Sequence, residues 1–108
     1  MSKPIHVQII KEARALVGDE KKWCRSEMAL DKYGAPVCAT DGKASKWCAY
    51  GALVVAAYHM TGDTSRAFDL ADPAVSLFGG CDALMRVNDT KGRATAVALF
   101  DKVIKRFP

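Results

Sequence analysis

The chain has 108 residues, of which 50% are hydrophobic and 26% charged, and its 16 lysines and arginines exceed its 12 acids by four. This composition excludes a disordered, fibrous or multidomain protein, and we expect one globular domain over residues 1–108. A chain of this length forms a hydrophobic core without the help of structural zinc or disulfides.

The N-terminal quarter is predicted to contain two helices. Apolar residues recur at helical spacing over residues 5–17, and Gly18 then suits a left-handed cap. Asp19 is a suitable N-cap for a short second helix that reaches about Ser26.

The pattern changes over residues 28–39, where two short extended segments flank Gly34. We predict a small hairpin, with Pro36 restricting its second arm to a sheet edge because proline has no N–H to donate. A helix over about 44–60 follows. It contains an uncharged run of 14 residues, which is too short to span a bilayer and is typical of a helix buried at the centre of a fold.

The C-terminal half is predicted to be helical throughout. Three short helices cover 64–70, 72–80 and 81–87, and a turn at 88–90 leads into a last helix over 91–107. The predicted fold is therefore mainly α, a compact helical domain around the buried central helix.

The most specific feature of the sequence is a repeat of one motif, Trp23-Cys24 and Trp47-Cys48, each preceded by lysine. Tryptophan and cysteine are core-forming residues, so both pairs suit a buried position. In the alternative interpretation the two indoles and two thiols surround one pocket, where Cys24 or Cys48 supplies nucleophilic or redox chemistry.

Two further stretches accompany the repeat, Ala29 to Val37 and Asn88-Asp89 before the last helix. Together these motifs resemble those of a family of small bacterial proteins of unknown function, and the resemblance covers most of the chain. It implies no activity, substrate or cofactor.

Cysteine catalysis requires a histidine within hydrogen-bond reach of the thiol. His59 follows Cys48 by eleven residues, about 16 Å along a continuous helix, so it cannot activate that thiol. A triad of Cys24, His59 and Asp89 requires the tertiary fold to bring the three together. Otherwise His59 is the polar end of a helix, and Asp89 or Thr90 caps the next one.

No metal or cofactor is expected. The spacing of the four cysteines matches no zinc motif, and a phosphate-binding loop is absent from the sequence. The N-terminal residues do not resemble a secretory signal, which favours a cytoplasmic location in which the cysteines are thiols.

The whole surplus of positive charge lies in residues 91–108, where Lys102, Lys105 and Arg106 close the last helix. The helix dipole favours cations at this end, and an anionic partner such as nucleic acid is the alternative explanation.

Three functions are compatible with these observations. We prefer a cytoplasmic, non-enzymatic protein-binding module, such as an adaptor, accessory protein or inhibitor, with no membrane partner. A thiol-dependent enzyme or redox protein and a nucleic-acid-binding protein are the alternatives. The candidate binding residues are Trp23, Trp47, Asn88, Lys102, Lys105 and Arg106, and the candidate catalytic residues are Cys24, Cys48, His59 and Asp89.

Overall fold

Residues 4–107, which the computed structural model describes, form five α-helices, a three-stranded sheet and a π-helical turn. The elements are α1 Ile5–Val17, β1 Ala29–Asp31, β2 Pro36–Val37, β3 Ala44–Trp47, α2 Ala49–Thr61, α3 Thr64–Ser76, α4 Cys81–Arg86, the π-helical turn Val87–Lys91 and α5 Arg93–Ile104. The prediction of a mainly α fold is confirmed.

Helix α2 is the central helix of the fold, as predicted. It lies between α1 and α3 and also contacts α4, and eight of its residues are buried: Ala49, Gly51, Ala52, Leu53, Val54, Val55, Ala56 and Ala57. Gly62 ends it in the left-handed conformation at φ 69°, which glycine adopts without steric penalty. The core around it also contains large, fully buried side chains of the other helices, Ile9, Ile10, Leu84 and Phe100.

The predicted start of the central helix, at about residue 44, is wrong. Residues 44–47 form β3, which pairs antiparallel with β1, and the helix begins only after Cys48. The Cys48 Sγ caps α2 by accepting a hydrogen bond from the Gly51 N–H at 3.3 Å. The uncharged run therefore includes the end of a strand, because β1 gains a second partner there.

The sheet has the order β2-β1-β3. The predicted hairpin is confirmed as β1 and β2, and Pro36 lies on an edge strand as expected. In register, Ala29 is opposite Val37 on one side and Trp47 on the other.

The predicted helix over residues 19–26 is wrong. The Asp19 Oδ1 instead accepts a hydrogen bond from the Lys21 N–H at 2.9 Å, which closes a turn. Trp23 then forms a parallel bridge with Trp47, so the backbone here is extended rather than helical. The expected left-handed cap at Gly18 is also wrong, because Gly18 has φ −70°.

In the C-terminal half, the predicted break before Pro73 is wrong. Helix α3 continues through Pro73 with Ala67, Ala71 and Ala74 buried on one face, and this packing outweighs the loss of one backbone hydrogen bond. The N-cap is Asp63, whose carboxylate accepts from the Arg66 N–H, rather than a residue at 64 or 65.

The last helix is shorter than predicted. The predicted turn at 88–90 is a π-helical turn that continues directly from α4, and α5 begins at Arg93 and ends at Ile104. Gly92 separates the two elements at φ 89°.

Candidate functional site

The fold brings the two Trp-Cys motifs together. The Trp47 N–H donates to the Lys22 carbonyl at 2.8 Å, and the Cys24 N–H donates to the Trp47 carbonyl at 3.1 Å, which joins the two motifs through one parallel bridge between Trp23 and Trp47. The π-helical turn packs against the same place. We call this group the Trp-Cys cluster, and it consists of Trp23, Cys24, Trp47, Cys48, Asn88 and Asp89.

Asn88 is the centre of the Trp-Cys cluster and has 0% of its surface exposed. Its Oδ1 accepts from the Trp23 Nε1–H at 2.7 Å and from the Ala49 N–H at 2.9 Å. Its Nδ2 donates to the Cys24 carbonyl at 3.1 Å and to the Asp89 Oδ1 at 3.0 Å. One amide therefore joins the first motif, the start of α2 and the π-helical turn, and it has no surface to offer a partner.

Asp89 completes the cluster from its edge. Its Oδ1 also accepts from the Ser26 N–H at 2.8 Å, and Ser26 has an unusual φ of 71°. The expected capping of the last helix by Asp89 or Thr90 is wrong, because Gly92 occupies the N-cap without a side-chain bond and the Thr90 hydroxyl donates to a carbonyl one turn earlier. The Asp89 carboxylate holds the 19–28 segment instead.

The second motif is fixed by contacts of its own. The Trp47 Nε1–H donates to the Ala39 carbonyl at 2.9 Å, and the Cys48 N–H donates to the Met28 carbonyl at 3.1 Å. A Cβ on Gly51 would fall on that same Met28 carbonyl oxygen. Glycine at position 51 therefore permits the close approach of α2 to Met28, which directly precedes β1.

The thiols of the cluster are poor nucleophiles. Burial raises the pKa of Cys24 to about 12, helped by the nearby Cys48. Burial also raises the pKa of Cys48, against the opposing effect of the hydrogen bond from the Gly51 N–H. Both groups are protonated at neutral pH, whereas a reactive cysteine needs a lowered pKa.

The triad of Cys24, His59 and Asp89 is not assembled. The His59 Nδ1 lies 2.7 Å from the Glu12 Oε1 of α1, at the C-terminal end of α2. The Cys24 thiol donates to the Glu27 carbonyl at 3.4 Å instead of to an imidazole. No imidazole therefore serves as a base for either buried thiol among the described contacts.

A second candidate site lies at the tip of the hairpin. Tyr33 is 83% exposed there, and the turn that carries it is rigid. The Asp31 Oδ1 accepts from the N–H groups of Tyr33 and Ala35 at 2.9 Å each, and the Gly34 N–H donates to the Asp31 carbonyl at 3.0 Å. The backbone that carries the exposed ring is therefore fixed by hydrogen bonds of its own turn.

Beside Tyr33 is an open depression of about 640 Å³, which we call the hairpin pocket; it is lined by Asp31, Lys32, Tyr33, Gly42, Lys43, Ala44 and Ser45. The Lys32 Nζ lies 5.1 Å from the centre of the Tyr33 ring. The carboxylates of Asp31 and Asp41 accept from backbone N–H groups of their own turns. The hairpin pocket thus has two lysine ammonium groups and two carboxylates beside it, and each carboxylate has one oxygen engaged by its own turn.

The cations of the last helix are exposed at its C-terminal end. Lys102 lies in the final turn of α5, and Lys105 and Arg106 follow the helix. On the same helix, Asp101 pairs with Arg14 of α1 at 2.9 Å. This arrangement suits the helix dipole.

The sequence model of a family of unknown function, DUF6197, matches residues 1–106. The chain belongs to this family. The resemblance inferred from the sequence, to a family of unknown function, is thereby confirmed, and membership of DUF6197 brings no activity with it. No curated protein sequence and no solved structure matches the chain.

The described part of this DUF6197 member has neither a group of metal-binding side chains nor a membrane-spanning helix. In residues 4–107 no three side chains of His, Cys, Asp and Glu are grouped to hold a metal ion. No helix in that range is long and apolar enough to cross a membrane.

Sequence patterns indicated every member of the Trp-Cys cluster as a candidate, but they did not indicate Tyr33 or the two lysines of the hairpin pocket, Lys32 and Lys43. The available signal was an aromatic residue next to Gly34, inside a predicted hairpin turn. A turn places its side chains on the surface, so a large ring there is a candidate contact for a partner.

Proposed function

We propose that this protein is a non-enzymatic binding module that recognises an acidic segment of a partner protein through the hairpin pocket. The observation that carries the proposal is Tyr33, whose side chain is 83% exposed while its backbone is fixed by hydrogen bonds of its own turn. Backbone that is already fixed in the free protein loses little conformational entropy when a partner binds.

The chemistry of the pocket favours an acidic partner. Tyrosine is enriched among the residues that dominate binding energy at interfaces, because it offers a large ring and a hydroxyl. Lys32 and Lys43 line the same pocket as the ring, with the Lys32 Nζ 5.1 Å from its centre, while one oxygen each of Asp31 and Asp41 is engaged by backbone N–H groups. A glutamate- or aspartate-containing segment would place its carboxylates beside the lysines and an apolar side chain on the ring.

The alternatives receive less support. Catalysis by Cys24 or Cys48 lacks both a lowered pKa and a base. Nucleic-acid binding through the last helix rests on Lys102, Lys105 and Arg106, for which the helix dipole already accounts. We assign the module to the cytoplasm, where disulfides are usually transient or redox-sensing.

The proposal is tested by site-specific photo-crosslinking in cells that express the gene. A benzophenone amino acid replaces Tyr33 in one variant and Met85, which is 38% exposed on α4, in the control variant. We expect a protein cross-linked from position 33 and not from position 85. Capture alone is insufficient, so the captured protein is then purified and its Kd measured.

In that second step, Tyr33→Ala weakens binding at least tenfold, about 1.4 kcal/mol. Lys43→Glu also raises Kd, and this rise becomes smaller as salt is added. Met85→Ala leaves Kd unchanged. Equal cross-linking from both positions, or a Kd that Tyr33→Ala does not alter, contradicts the proposal. Tighter binding of Lys43→Glu shows that the partner is not acidic.

A further inference from the structure

Cys24 and Cys48 directly follow the two bridged residues Trp23 and Trp47. In paired parallel strands, residues one step beyond a bridged pair project from the same face. The hydrogen bond from the Cys24 N–H to the Trp47 carbonyl, 3.1 Å, is one of the two that form this bridge, and each cysteine is the next residue after it. The register thus makes the two cysteines neighbours across the strands.

This spacing suits a disulfide. Adjacent strands lie about 4.7–4.9 Å apart, and the Cα atoms of bonded cysteines lie about 4.4–6.8 Å apart. Both residues are almost wholly buried, with 5% and 3% of their surfaces exposed, and both are free thiols. The pKa of Cys24 responds to the Cys48 thiolate, which agrees with their proximity.

Neither sulfur is committed to a contact that prevents bonding. The Cys24 S–H donates to the Glu27 carbonyl at 3.4 Å, and the Cys48 Sγ accepts from the Gly51 N–H at 3.3 Å. The first bond is lost with the thiol proton, while a disulfide sulfur still accepts the second. Of the other two cysteines, Cys38 follows β2, and Cys81 at the start of α4 lies close enough to Cys48 to raise the pKa of that thiol.

We propose that Cys24 and Cys48 are a modification site, a thiol pair that forms an intramolecular disulfide while the chain folds and both thiols are still accessible, by exchange with a small-molecule disulfide such as oxidised glutathione. The Cys24 sulfur attacks the reagent, one glutathione leaves, and a mixed disulfide forms. The Cys48 sulfur then displaces the second glutathione. The two protein sulfurs are oxidised, the reagent is reduced, and the two thiol protons end on two glutathione thiols.

The disulfide ties the 19–28 segment covalently to the N-terminus of α2. That segment is otherwise held by the Trp23 and Asp89 contacts of the Trp-Cys cluster. The inference goes beyond the proposed binding function and does not depend on it.

The experiment uses the full chain with Cys38→Ser and Cys81→Ser, which leaves only the proposed pair. The reduced protein is unfolded in urea and refolded in glutathione redox buffers, so that burial does not limit the approach to equilibrium. Free thiols are then alkylated in acid, and the protein is digested with trypsin. Each cysteine lies in its own tryptic peptide, Cys24 in 23–25 and Cys48 in 47–66.

We expect a linked peptide that joins residues 23–25 to residues 47–66. The intact oxidised protein should weigh about 2 Da less than the reduced, unalkylated protein, because two hydrogens are lost, and dithiothreitol should reverse the change. The same buffers with urea retained supply the reference. Folding should raise the equilibrium constant for the link at least tenfold over this unfolded chain, and circular dichroism verifies that the variant is folded. An equilibrium constant no higher than in urea, or glutathione adducts in place of the link, overturns the proposal.

Discussion

Replacing Asn88 with alanine is expected to remove a large part of the stability of the fold. The Asn88 Oδ1 is the acceptor for the Trp23 Nε1–H and the Ala49 N–H, and its Nδ2 is a donor to the Cys24 carbonyl, all within the buried centre of the Trp-Cys cluster. Each buried polar group left unpaired costs about 1–3 kcal/mol. With water satisfying part of the vacancy, we expect a loss of about 3–6 kcal/mol, against about 5–15 kcal/mol for the whole fold.

The assay is urea unfolding, followed by tryptophan fluorescence because Trp23 and Trp47 both lie in the cluster, and by far-ultraviolet circular dichroism. The control is Asp89→Asn, which keeps an oxygen acceptor for the Ser26 N–H and is expected to cost less than about 1.5 kcal/mol. If Asn88→Ala loses less than about 1 kcal/mol, or no more than this control, the cluster does not hold the fold together as argued.

Three further predictions concern stability. Gly51→Ala places a Cβ on the Met28 carbonyl oxygen and should lower the free energy of unfolding in urea by about 1–3 kcal/mol. Gly42→Ala, which has open space around it, should not lower it. Equal effects of the two substitutions would refute the close approach of Gly51 to Met28. The pKa of Cys24 is raised from 9.0 to about 12, so burial of the neutral thiol stabilises the fold fully below pH 9 and progressively less as the pH rises toward 12. Between pH 9 and pH 12 the Tm of the unsubstituted protein should therefore fall further than that of Cys24→Ala. An equal fall in both proteins would count against this contribution of Cys24. Arg14 lowers the pKa of Asp101, so Asp101→Asn should lower the free energy of unfolding by under about 1 kcal/mol at pH 7. Once the pH falls well below 3.8, the substitution should have no effect. Chemical denaturation at the two pH values measures both, and a larger loss in acid would contradict this prediction.

The parts of the fold that depend on local pattern were predictable. The spacing of apolar residues gave α1, the uncharged run gave most of α2, and the residues around Gly34 gave the hairpin. The sequence also singled out Asn88, although as a candidate surface contact. Its burial depends on residues more than sixty positions away, Trp23 and Cys24, and local pattern contains no such information.

The errors have the same origin. Residues 44–47 form a strand and Trp23 forms a bridge because each pairs with a segment distant in the sequence, whereas local propensity alone favours helix at both places. Pro73 lies within a continuous helix because the packing of α3 on the core outweighs the local signal. Tyr33 was missed as a candidate site although its place in the predicted hairpin turn already indicated an exposed side chain.

The central claim is that the Trp-Cys cluster is an internal structural element and that function lies at the surface. The most direct test labels the native protein with a maleimide across pH 5 to 9 and follows each cysteine in its own tryptic peptide. The account predicts fast labelling of the exposed Cys38, and slow labelling of Cys24 and Cys48 at every pH until the protein unfolds. Fast labelling of either buried thiol, with a midpoint well below the free-cysteine value of about 8.5, would contradict it and identify a chemical site.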